Sequence, residues 1–177
     1  MFGSNKDRIY VALYARGGQD PNTYHWAIIV GPKTEVEGGR GFRYHARQRL
    51  DPTTPGRQVW HYEALDIPLT QTSMLLARVM IGKVANHAQL AKTLAAVPRE
   101  QDNPAWTCRI WVRDAIAALE ADGKSLGTRV TNWQKIEQTA KTYVARKREQ
   151  RRYDGSGTWK AGTVPTYDLL EEKEVIP

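Results

Sequence analysis

The chain has 177 residues, 41% of them hydrophobic, and a formal net charge of +7. This is the length of a single domain with enough apolar side chains for a core, which excludes a disordered chain; the charge suits solubility or an acidic partner: nucleic acid, an anionic membrane surface or an acidic protein face. The only cysteine, Cys108, excludes an internal disulfide and a Cys-based zinc site.

Met1–Asp7 has no apolar signal core, and no apolar run approaches the ~18 residues of a membrane span. A cytoplasmic protein without a membrane span is therefore expected. Arg8–Ala15 is rich in Ile, Tyr and Val and is bounded by Gly17-Gly18 and Asp20-Pro21-Asn22, which reads as a buried strand and a loop. His25–Val30 is a second strand, stopped by Gly31-Pro32; Gly38-Gly39 then supplies a turn. Gly41–Arg47 alternates Phe42, Tyr44 and Ala46 with Arg43, His45 and Arg47, a strand with His45 opposite the aromatics. Asp51–Gly56 is a loop and Gln58–Leu65 a fourth strand. Leu75–Val84 suits a fifth strand better than a helix, because of its valines and Gly82.

Helical spacing begins at Asn86–Val97, with Leu90, Leu94 and Val97 on one side and Pro98 as the stop. Asp102-Asn103-Pro104 is a helix-start signal. From Cys108, residues Val112, Ala115, Ile116 and Leu119 share one face, and Asp122-Gly123 closes the helix. A third helix runs from Trp133 to about Lys147, with a basic end, Arg146–Arg152, that suits the helix dipole. Residues 153–177 read as a tail folded back through Trp159 and Val164–Leu170. Strands before helices predict an α+β domain, an antiparallel sheet of about four to five strands on about three helices.

Cys108 opens a helix and His25 a strand. A helix N-terminus and a neighbouring imidazole both favour a thiolate, so His25 is the candidate base for Cys108, with His45 orienting His25. The Cys108 amide is the natural oxyanion donor, and Tyr24, Thr107 and Trp111 are candidate pocket residues. His61 and His87 lack such context and read as structural. The histidines show no metal-ligand spacing, so neither metal nor cofactor is expected. Arg40, Arg43, Arg47, Arg49 and Arg57 form a basic stretch interleaved with Phe42 and Tyr44, but without a nucleic-acid motif. The competing reading is a small buried thiol in a binding domain.

His25-Trp26-Ala27-Ile28-Ile29-Val30-Gly31, then Tyr44-His45, then Cys108-Arg109-Ile110-Trp111-Val112 together resemble the circularly permuted NlpC/P60 papain-like superfamily. The similarity leans toward its lecithin:retinol acyltransferase-like and H-Ras-like suppressor members. It covers residues 8–120, leaving 124–152 as an added helix. Thr107 stands where that family usually has asparagine, and Trp111 replaces a phenylalanine. The resemblance implies a permuted papain-like core with Cys108 as nucleophile, His25 as base and His45 as orienting residue. It also implies a cysteine hydrolase or acyltransferase acting on an amide, ester or thioester of a small-molecule, acyl or peptide substrate. The permuted PPPDE-type isopeptidases share the order of histidine before cysteine.

Overall fold

The computed structural model describes residues 5–18, 20–70, 72 and 74–177, so the expectation for Met1–Ser4 lies outside the described residues. Its elements are β1 (Arg8–Ala15), β2 (Tyr24–Gly31), β3 (Arg40–Leu50), β4 (Gln58–Pro68), β5 (Leu75–Val84), α1 (His87–Ala96), α2 (Cys108–Asp122), β6 (Leu126–Arg129), α3 (Trp133–Glu149), β7 (Thr166–Asp168) and β8 (Lys173–Ile176). The fold is α+β, as expected, and β5 is a strand.

The sheet itself departs from expectation. Among the described residues it has eight strands in the order β4-β3-β2-β1-β5-β7-β8, with β6 also on β5. It is mixed rather than antiparallel, because β7 lies parallel to β5. The parallel pairing arises because the tail crosses back over the body before it joins the sheet. Thr166–Asp168 then runs beside Arg78–Met80, and Lys173–Ile176 turns back on it.

Helix starts follow local side-chain chemistry. The Asn86 and Asn132 side chains accept from the Gln89 and Lys135 amides and cap α1 and α3. Asp102-Asn103-Pro104 does not start a helix. Asp102 has φ of 57° and the Asn103 side chain accepts from the Ala105 amide, which closes a turn instead. The helix opens at Cys108, and Gly123, at φ 62°, ends it in the left-handed conformation glycine favours.

The main core lies between the helices and one face of the sheet. Val11, Leu13, Trp26, Ile28 and Tyr44 meet Leu90, Trp111, Val112, Ile116, Ile136 and Val144 there. A smaller cluster on the opposite face joins Tyr10, Ala12, Tyr14, Ala27 and Ile29 to Leu69 and Val164. The basic end of α3 is more than a solvated terminus. Lys147 is fully buried against Glu174, Arg148 reaches Tyr24, and Arg152 donates to the Thr163 and Pro177 carbonyls. The Lys147 and Arg152 contacts fasten residues 153–177 to the body. Among the described residues no helix is long and apolar enough to cross a membrane.

Candidate active site

Cys108 is the first residue of α2 and is 1% exposed. The first amides of any helix lack intrahelical acceptors. Here the N-cap residue, Thr107, makes no side-chain cap bond, and the first of these amides turn to the Cys108 sulfur instead. The sulfur accepts from the amides of Cys108 and Arg109 and, at 3.5 Å, from the Trp26 amide of β2. The last β2–β3 pair is Ile28 with Tyr44. Trp26 lies two residues beyond it, where the strands have parted, and the thiol fills the notch. Burial pushes the Cys108 thiol up and outweighs the amides, so the resting group is a neutral thiol. Arg109 forks onto Glu137 of α3, which fixes the start of α2; that hydrogen bond holds the Glu137 carboxyl down at about 2.

Alternation along β2 puts Trp26 and Ile28 on the helix-covered face and His25, with Ala27 and Ile29, on the other. His25 Nε2 lies 2.7 Å from His45 Nδ1, and His45 Nε2 lies 3.0 Å from Glu63 Oε2. His45 and Glu63 face one another across the β3–β4 ladder. Glu63 is buried and ion-paired to Arg47 and Arg49, which favours its carboxylate form. Burial, then the charges of neighbouring groups, pulls His25 and His45 down to about 3, so both rings are neutral at neutral pH.

These contacts fix the tautomers. A carboxylate only accepts, so His45 carries its proton on Nε2 and presents a bare Nδ1. His25 must then donate from Nε2, which leaves its own Nδ1 as a free lone pair. The chain Glu63–His45–His25 thus ends in a base on the residue whose following amide holds the Cys108 sulfur. Among the described residues no hydrogen bond joins the thiol to an imidazole. The structure joins the two histidines to each other and joins the cysteine to the backbone beside His25.

The other expected residues divide. Thr107 sits at the helix mouth. The Tyr24 hydroxyl accepts from Arg148 at 3.0 Å, so α3 engages it. Trp111, one turn on from Cys108, is fully buried on Tyr62 in the same core cluster that holds Cys108. His61 is exposed and His87 pairs with Asp7. Sequence reasoning missed Glu63. The signal for it was the β3–β4 hairpin, whose loop around Thr54 sets the register that puts Glu63 opposite His45.

No curated protein and no solved structure matches the chain. Residues 6–176 match one protein family, and the chain belongs to it: the family of unknown function DUF6914.

Proposed function

We propose that the protein is a cysteine-dependent acyl-transfer enzyme, a hydrolase or acyltransferase that works through an acyl-enzyme at Cys108. The observation that carries this reading is the polar chain from Glu63 through His45 to His25, which leaves a bare Nδ1 beside the peptide unit that holds the thiol. The resemblance of the three motifs to permuted papain-like enzymes points the same way.

In this mechanism the Cys108 proton passes to His25 Nδ1 as the sulfur attacks the acyl carbon. The new S–C bond forms and the carbonyl oxygen takes the negative charge. The Cys108 and Arg109 amides, which donate to the resting sulfur, are the donors that α2 offers to that oxygen. The bond to the leaving amine, alcohol or thiol then breaks, and that group takes the proton from His25. Water or another acceptor releases the acyl group by the reverse sequence. Glu63 and His45 hold His25 in the required tautomer throughout.

A second reading has its own observation. With 1% exposure Cys108 also suits a packed thiol in a binding domain. Alkylation by iodoacetamide, followed by mass spectrometry at Cys108 across pH, separates the two. The catalytic reading expects native-state labelling that falls about tenfold or more in His25→Ala. Labelling that needs denaturation, or that proceeds at one rate in both proteins, makes Cys108 structural.

A further inference from the structure

The face of the sheet that carries His25 and His45 is rich in arginine, and the ion pairs there are unevenly distributed. On that face Arg47 and Arg49 pair with Glu63; elsewhere in the stretch Arg40 pairs with Asp66, and Arg57 with Asp51 and Asp102. Arg43 belongs to the same stretch, and among the described residues no carboxylate pairs with it. It is half-buried, its buried Nε has no hydrogen-bond partner, and its guanidinium lies 5.3 Å over the Tyr14 ring. Tyr14 also borders the candidate site: its ring is 6.0 Å from that of His25, its partner across β1–β2. Two residues on, Arg16 leaves the same end of β1, exposed and likewise without a carboxylate among the described residues. The charge of Arg16 acts on both the Cys108 sulfur and the His25 ring.

Half-burying a guanidinium without a counter-charge is costly, and one placed beside a base that must accept a proton also opposes that step. An anionic ligand group removes both penalties. We propose that the acyl donor carries an anionic oxygen group, a carboxylate or a phosphate, held by Arg43 and Arg16 beside His25. The inference rests on Cys108 being the nucleophile and adds the substrate class to that reading. The planar fork of arginine suits two-oxygen recognition of either group.

Two alkylating reagents of nearly equal size test it. Iodoacetate bears a carboxylate and iodoacetamide does not. With either, the Cys108 sulfur displaces iodide, an S–C bond replaces the C–I bond, and the thiol proton passes to His25 and then to solvent. The quantity read is the iodoacetate-to-iodoacetamide rate ratio at Cys108, divided by the same ratio for N-acetylcysteine. The expected enrichment is about tenfold, as for a charge-assisted contact, and it shrinks as added salt screens exposed Arg16. Arg43→Gln lowers the ratio toward that of the free thiol. Arg16→Gln, at an exposed position outside the core, lowers it as well and guards against a folding defect in the first variant. Protection from iodoacetamide by inorganic phosphate or by acetate then tells which anion the arginines prefer. A ratio equal to that of the free thiol in wild type, with labelling still dependent on His25, overturns the anionic substrate and leaves the nucleophile standing. Absence of native-state labelling by either reagent overturns the nucleophile, and the inference with it.

Discussion

Glu63→Gln tests the polar chain at its root. In the wild type the carboxylate accepts from His45 Nε2 at 3.0 Å and balances Arg47 and Arg49. Glutamine keeps the shape but removes the charge. Loss of charge assistance in the buried bond costs about 1 kcal/mol. Arg47 and Arg49 are about half exposed, so solvent screening leaves each ion pair worth only a few tenths more. The stability loss in urea should therefore be about 1–2 kcal/mol. The functional loss is of another kind. A carboxamide can donate from its NH2 group as readily as it accepts. With the carboxamide at the head of the chain, both proton directions through His45 to His25 become accessible, and one of them puts the proton on His25 Nδ1. Cys108 alkylation at neutral pH should fall about tenfold or more, beyond anything the small stability loss explains. Two-bond proton–nitrogen NMR of the imidazoles reads the same event directly: a bare His25 Nδ1 in the wild type and a mixture in the variant. A single unchanged tautomer, with an unchanged alkylation rate and the expected fall in stability, would refute the tautomer argument.

Three further outcomes follow from the same structure. His25 and His45 stay neutral in the folded chain down to about 3, whereas the unfolded chain protonates them near 6.5. The unfolded state thus binds more protons between those limits, and stability is full above 6.5 and lost as pH falls toward 3. Each ring contributes at most about 1.4 kcal/mol per pH unit, and urea midpoints from about pH 7 to about pH 5 should show a slope that shrinks in His45→Gln. Gly41→Ala would set its Cβ against the Val30 carbonyl oxygen, closer than such atoms pack, so β2 and β3 must separate. The expected cost is about 2 kcal/mol, read from the thermal midpoint. Lys147→Ala removes the buried partner of Glu174 and the cation beside Tyr143 and Trp159. It should cost about 2–3 kcal/mol and make residues 153–177 the first site of limited proteolysis.

The first five strands are legible in the sequence because each is long, apolar and bounded by Gly, Pro or Asp. The helices show their 3.6-residue spacing for the same reason. β6, β7 and β8 are not legible. Leu126–Arg129 and Lys173–Ile176 are four residues each and Thr166–Asp168 only three, too short for alternation to register. β6 and β7 are strands because β5 offers them an edge, and β8 because β7 does, which is a tertiary cause. Asp102-Asn103-Pro104 has the composition of a helix start, and the turn at Asn103 consumes that signal. In the site, His25, His45 and Cys108 stand out as residue types in order. Glu63 does not, because it is eighteen residues from His45 in sequence and meets it only through hairpin register. Trp111 stands one helical turn from Cys108, and the same apolar spacing that marks the helix puts both in the main core.

The resting electrostatics of the site bear on how its chemistry could begin. Burial is the largest cause of both shifts that oppose proton transfer: it raises the Cys108 thiol and lowers His25. The proton therefore stays on sulfur while the notch between β2 and β3 is closed. The charges add a second contrast. Arg16 favours a thiolate and opposes an imidazolium, so no rearrangement of arginines alone helps both partners. Solvation does help both. Wetting of the notch, or a polar acyl group entering it, raises His25 and lowers Cys108 together and narrows the gap from each side. On the proposed acyl-transfer reading, control then lies in the opening of the strand notch around Trp26, where the sulfur occupies the place of a missing strand partner.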